Sequence, residues 1–210
     1  MSCMIYLISP EKIDLEKFKI LLEEALSTLK IAVFQLRLKN ISNTGIAEAA
    51  QELMPICHKY GVTFILNDNA TLAKQVNADG VHVGEEKDGT YHEARKIMGQ
   101  NKIIGVSCYG SIERALDFAE AGADYVAFGA FYPTTTKEPK ARPSIDILNW
   151  WATNCTVPSV AIGGINENNC MPIVKAGADF IAVVSAVWSH KKGPGEAIRD
   201  LSASISDSQL

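Results

Sequence analysis

Several short stretches of this chain end an apolar run with side chains that bind anions or cations. The most pronounced is residues 125–137, YVAFGAFYPTTTK. Its apolar part, residues 125–131, suits a strand buried on both faces. Pro133 ends that strand, Thr134, Thr135 and Thr136 offer hydroxyls, and Lys137 supplies a cation. Hydroxyls beside an ammonium suit an anion, most simply a phosphate. An ordinary polar surface loop has the same composition, so the stretch alone leaves both readings open.

Residues 35–39, QLRLK, close another apolar run. With a period of two, Gln35, Arg37 and Lys39 share one face and Leu36 and Leu38 the other. If the apolar face packs on helices, the cations point to the opposite side, where leaving them unpaired costs several kcal/mol each, about the penalty for a buried ion. They need either an anionic ligand or carboxylates from neighbouring strands. Asn67 and Asp68 follow the next run, and Asp88 the one after. Two carboxylates from adjacent strand ends suit a divalent cation such as Mg²⁺, which commonly bridges a protein carboxylate and phosphate oxygens. The plainer reading makes Asp68 a helix N-cap and Asp88 a solvated loop acid. Ser107 ends GVS, Gly163 and Gly164 end VPSVAIGG, and Val184 and Ser185 close a late run. Backbone N–H groups bared by such glycines form phosphate sites, or merely a tight turn.

Other chemistry finds no support. His58, His82, His92 and His190 pair with no nucleophile or metal-ligand partner in sequence, and all four read as structural or surface residues. No HExxH or Ser–His–Asp pattern is visible. The five cysteines are widely spaced with no CxxC pair, so they read as packing residues of a reducing cytosol.

The elements that must carry these residues alternate. Strands are expected at residues 4–8, 32–39, 63–68, 80–84, 102–108, 125–131, 158–164 and 180–187. Helices are expected at 15–29, 46–60, 70–76, 90–98, 111–121, 144–153, 168–176 and 194–205. Three helix-to-strand junctions share an echo: Asn77-Ala78-Asp79, Gly122-Ala123-Asp124 and Gly177-Ala178-Asp179. Alternation of this kind implies parallel pairing, and these units in 210 residues match a single-domain (β/α)8 TIM barrel spanning 1–210. An open doubly wound sheet fits less well, because no glycine-rich turn follows the first strand. In a barrel the active face lies at the C-terminal strand ends, which is where the stretches above fall.

Bulk properties narrow the partners. Hydrophobic residues at 47% and charged residues at 21% exclude a disordered chain. A net charge of −4 with no basic cluster argues against nucleic acid or an anionic membrane. No signal peptide or membrane span is read, so the expected location is cytoplasmic.

Taken in order, QLRLK at 35–39, Asn67-Asp68, GVHVG at 80–84, GVS at 105–107, TTTK at 134–137, IGGI at 162–165 and Val184-Ser185 resemble the thiamine-phosphate synthase family over nearly the whole chain. The resemblance implies a transferase of thiamine biosynthesis that joins hydroxymethylpyrimidine diphosphate to a thiazole phosphate, carboxylated or not, with release of diphosphate. It implies substrate contacts along Gln35, Leu36, Arg37, Leu38 and Lys39 and at Asn67, Ser107 and Lys137. Thr134, Thr135, Thr136, Gly164, Val184 and Ser185 would receive the thiazole phosphate. Arg37, Lys137 and Ser107 carry the implied catalytic roles, and Asp68 and Asp88 the Mg²⁺. An apparent one-residue insertion after GVHVG leaves Glu86 as the alternative to Asp88, and the spacing to Glu93 favours Asp88. The related thiazole tautomerase shares the barrel but does not require the metal acids with the full diphosphate set. Barrels of this size often pair, so a homodimer is compatible with the chain.

Overall fold

The computed structural model describes residues 3–28, 31–84, 90–134 and 140–207. Its strands are β1 (Met4–Ile8), β2 (Ile31–Leu36), β3 (Thr63–Asn67), β4 (Gly80–Val83), β5 (Ile103–Tyr109), β6 (Tyr125–Gly129), β7 (Ser159–Ile162) and β8 (Phe180–Val183). The helices are α1 (Leu15–Leu26), α2 (Asn43–Lys59), α3 (Ala70–Gln75), α4 (Tyr91–Met98), α5 (Ile112–Glu120), α6 (Asp146–Asn154), α7 (Cys170–Lys175), a short α8 (Ser185–Trp188) and α9 (Pro194–Asp207). Every strand pairs in parallel with its sequence neighbour, and β8 returns to β1 to close the barrel. The expected TIM barrel is therefore the architecture, and closure excludes the open sheet.

Strand alternation divides the core in two. Ile5, Leu7, Phe34, Leu36, Phe64, Leu66, Ile104, Phe128 and Ile181 face the helices and pack with Phe18, Leu22, Leu53 and Trp151. Tyr6, Ile8, Tyr125, Ala127, Val160 and Ala182 face the axis. Burying each large apolar side chain stabilises the fold by about 1.5–3 kcal/mol, so a strand cannot slip by one residue without exchanging both sets. Local signals start the helices. The Asp14 carboxylate accepts from Lys17 N at 3.3 Å, Ser111 Oγ from Arg114 N at 3.1 Å, and Thr90 and Glu93 form a reciprocal capping box on α4.

Two boundaries differ informatively from the sequence reading. Helix α2 begins at Asn43 rather than 46, because Ser42 Oγ accepts from Gly45 N and caps it there. The run 180–187 is not one strand. It leaves the sheet at Val183 and coils into α8, with Val187 buried. Apart from Ser185 the run is apolar throughout and the helical turn is a single turn long, so periodicity could not divide them.

The Asn/Gly-Ala-Asp echo has a structural cause. Asp79, Asp124 and Asp179 stand just before β4, β6 and β8. Each carboxylate accepts from a backbone N–H in the first two residues of the preceding strand: Phe64 at 2.7 Å, Ile104 at 2.7 Å and Ser159 at 2.8 Å. These clamps satisfy donors that strand ends would otherwise leave unpaired. They lie at the N-terminal rim, the end of a barrel associated with stability. Asp124 also holds Arg95 at 2.7 Å. Asp124→Ala is expected to cost about 1.5–3 kcal/mol, the worth of a hydrogen bond to a charged acceptor. The check is the urea midpoint, with native far-UV circular dichroism retained below the transition.

Candidate active site at the C-terminal rim

The strands end around a cavity of about 320 Å³. Gln35, Arg37, Lys39, Asn67, Asp68, Ser107, Thr134, Gly164, Val184 and Ser185 all line it. Side chains from β2, β3, β5, the β6–α6 loop, the β7–α7 loop and α8 thus meet at one mouth. Leu36 and Leu38 do not line it. Alternation along β2 turns Leu36, at 1% exposure, into the helix-side core; the expected strand 32–39 ends at Leu36, and Leu38 beyond it packs partly buried against the same core. If substrate meets them, it meets their backbone. Thr135, Thr136, Lys137 and Asp88, with its alternative Glu86, lie outside the described residues.

The rim cations are held by carboxylates. Arg37 Nη1 donates to Glu11 Oε1 at 2.6 Å, and Lys39 Nζ lies 3.2 Å from Asp68 Oδ2. The carboxylate reading of these charges is thus realised, one partner coming from the end of neighbouring β3 and the other from the β1–α1 loop. Arg37 is further fixed through its backbone N–H, which donates to the buried Ser9 Oγ at 2.8 Å. Such pairs are exchangeable: a phosphate offers the guanidinium a comparable fork of oxygens.

Asp68 is not an N-cap. The cap of α3 is Asn69, whose Oδ1 accepts from Leu72 N at 2.9 Å. Asp68 itself adopts a left-handed backbone, φ 65°, with its N–H bonded to His82 O at 2.7 Å. Its carboxylate also accepts from Asn67 Nδ2 at 2.5 Å and Gly84 N at 3.3 Å. Backbone outliers of this type concentrate at functional sites. A hard, all-oxygen donor at the mouth fits Mg²⁺, which takes one or two protein carboxylates and fills its shell with water and phosphate oxygens. Among the described residues no group of three or more His, Cys, Asp or Glu side chains gathers into a complete metal site.

Gly163 (φ 106°) and Gly164 (φ 64°) allow close approach of two loops. Tyr132 N donates to Gly163 O at 3.0 Å, and a Cβ on Gly164 would stand 2.3 Å from the Pro133 carbonyl. The pair therefore seats the β6–α6 loop, and Thr134 with it, over the end of β7.

The floor is a hydrogen-bonded chain. Gln35 Nε2 donates to Tyr6 Oη at 2.8 Å, Tyr6 Oη meets Tyr125 Oη at 2.7 Å, Tyr125 Oη meets His82 Nδ1 at 3.0 Å, and His82 Nε2 meets Ser107 Oγ at 2.9 Å. Burial raises both phenols well above their usual range, so they stay neutral donors. Ile8, Ala127, Val160, Ile162 and Ala182 complete apolar walls suited to a flat ring. The sequence reading placed His82 among structural or surface residues and gave Tyr6 and Tyr125 no part in the site. All three line the cavity. The available signal was alternation, since His82 sits between the apolar Val81 and Val83. Glu11 carried no comparable signal, and neither did Lys140, which lines the mouth 5.1 Å from the Tyr109 ring centroid. Cys108 faces the helix-side core, and burial pushes its thiol up to about 12, which leaves it no nucleophilic role.

A family model described as thiamine monophosphate synthase matches residues 5–187. A thiamine-phosphate synthase of Rhodospirillum centenum is 46% identical over 199 residues, spanning 95% of this chain and 96% of its own. Its counterpart in Hyphomonas neptunium is 44% identical over 204 residues, spanning 95% and 92%. The solved thiamine phosphate pyrophosphorylase of Pyrococcus furiosus aligns with a TM-score of 0.83 at 31% identity, covering 99% of this chain and 97% of that one.

Gly105 makes room for the floor: a Cβ there would lie 1.8 Å from the Tyr125 ring. Gly105→Ala is expected to lower stability by about 1–3 kcal/mol through overpacking. Thermal melting measures the loss, and a shift of the Tyr125 ring resonances shows where it arises.

Proposed function

The chain belongs to the thiamine monophosphate synthase family, whose activity is that of a transferase, and we propose that it joins hydroxymethylpyrimidine diphosphate to hydroxyethylthiazole phosphate, or its carboxylated form, giving thiamine phosphate and diphosphate. The observation that carries this reading is the meeting of Arg37, Lys39, Asn67 and Asp68 at one side of a cavity whose other side holds Thr134, Gly164 and Ser185. Between these groups lie apolar walls and a hydrogen-bonded floor, an arrangement that suits two phosphorylated heterocycles.

The reaction is a dissociative substitution. The bond from the pyrimidine methylene carbon to the diphosphate oxygen breaks first, and its electron pair leaves with the diphosphate. The thiazole nitrogen lone pair then forms the new carbon–nitrogen bond. No proton is transferred, so no general base is needed, in keeping with the neutral phenols of Tyr6 and Tyr125 in the cavity floor. The work left to the protein is to neutralise the departing charge, align the rings and exclude water. Arg37 and Lys39 exchange Glu11 and Asp68 for diphosphate oxygens, joined by Lys137. Asp68, together with Asp88, would hold a Mg²⁺ ion, which supplies further neutralisation of the leaving group. Gln35 and Ser107 would contact the pyrimidine, and Thr134, Gly164, Val184 and Ser185, with Thr135 and Thr136, would receive the thiazole phosphate. Among the described residues no helix is long and apolar enough to cross a membrane; we place the enzyme in the cytoplasm, acting on small molecules.

The test mixes the two heterocycles with the protein and Mg²⁺ and assays thiamine phosphate by chromatography; no product under saturating conditions would refute the reading. Arg37→Ala and Lys137→Ala are expected to lower kcat by about 10²-fold or more, the scale of losing one transition-state charge partner, with melting temperature little changed. Chelation by EDTA is expected to abolish turnover and added Mg²⁺ to restore it, and Asp68→Asn to raise the Mg²⁺ concentration needed for half-maximal rate. Full activity in chelator would remove the metal from the scheme.

A further inference from the structure

The floor chain has a property that its separate bonds do not. A neutral phenol has one hydrogen to give, and a neutral imidazole donates from one nitrogen and accepts at the other. Gln35 Nε2 donates to Tyr6 Oη, so the Tyr6 hydrogen goes to Tyr125 across their 2.7 Å contact. The Tyr125 hydrogen then goes to His82 Nδ1, and the imidazole proton sits on Nε2, facing Ser107 Oγ at 2.9 Å. The Ser107 hydrogen is thereby released towards the cavity, while Gln35 keeps Oε1 as its remaining acceptor. Both end residues line the cavity. Reversing any link forces all of them to reverse, including rotation of the Gln35 amide, which is only 3% exposed.

We propose that Tyr6, Tyr125 and His82 are positioning residues that couple Gln35 to Ser107, so that the site presents one acceptor and one donor of fixed sense to the ring it binds. The matching edge carries one N–H donor and one lone-pair acceptor, as an aminopyrimidine does. A pyrimidinone, with carbonyl in place of amino and a protonated ring nitrogen, offers the opposite sense and fits only if the whole chain turns round. The inference rests on the pyrimidine side of the proposed function. It adds three residues and a basis for selectivity that the chemistry of the departing diphosphate does not require.

The first measurement needs no variant. Long-range ¹H–¹⁵N correlation of the histidine side chains in the intact protein is expected to show His82 protonated on Nε2 with a bare Nδ1; protonation on Nδ1 instead would overturn the proposal. The second is calorimetric binding of the aminopyrimidine diphosphate and its oxo analogue to wild type, Tyr6→Phe and Tyr125→Phe, with melting curves confirming that each variant is folded. Wild type is expected to favour the amino ring, and either variant to lose about tenfold or more of that preference, roughly the worth of a hydrogen bond. An unchanged preference in both folded variants would overturn the coupling and leave the proposed function standing. Failure of wild type to bind either pyrimidine would overturn the proposed function and this inference together.

Discussion

Closure of the parallel sheet on a narrow axis is the constraint from which the rest follows. Each strand must send alternate side chains inward, and the space there is small. Gly80 and Gly105 contribute no side chain to the interior, where a Cβ would meet Ile103 and Tyr125. The space at Gly80 goes to Ile103 and Ile65, and that at Gly105 to the Tyr125 ring, which brings a polar tip with it; Tyr6 brings another. A phenol in a dry interior needs a partner for its hydroxyl. Packing thus generates the chain from Gln35 to Ser107 as the way to satisfy those hydroxyls, and the chain surfaces at the cavity.

The two rims of the barrel use carboxylates for opposite ends. At the N-terminal rim, Asp79, Asp124 and Asp179 accept from backbone N–H groups that no ligand competes for. They act as fixed clamps between successive strands. At the C-terminal rim, Glu11 and Asp68 meet side-chain cations instead. The guanidinium and ammonium retain donors and reach, so an incoming anion can displace the carboxylate. These two pairs make the positive charge gathered at the rim tolerable, and in the proposed reaction they release it to the diphosphate.

Much of this was legible before any coordinates. The alternation of apolar runs with helical stretches gave the barrel, and the polar ends of those runs gave most of the rim, from Gln35 to Ser185. What escaped did so for identifiable reasons. His82 lies inside an apolar run and has no sequence partner, and Tyr125 looked like one more hydrophobe of a buried strand. Tyr125 meets Tyr6 across the axis from β1, and His82 meets Ser107 on the neighbouring strand β5, so both partners are distant in sequence. Glu11 sits in a loop with no periodicity, and the turn from β8 into α8 is hidden because the apolar run continues into a helix of a single turn.

The sequence by itself determined which residues alternate, which runs must be buried and which charges must gather at strand ends, because those follow from local periodicity and from the cost of stranding a charge in an apolar interior. Only the tertiary structure decided partners. Whether Asp68 caps a helix or faces the mouth, which carboxylate holds Arg37, and which hydroxyl meets Tyr125 are set by contacts between different strand–helix units. Such contacts depend on strand register and closure, which no local stretch of the chain contains.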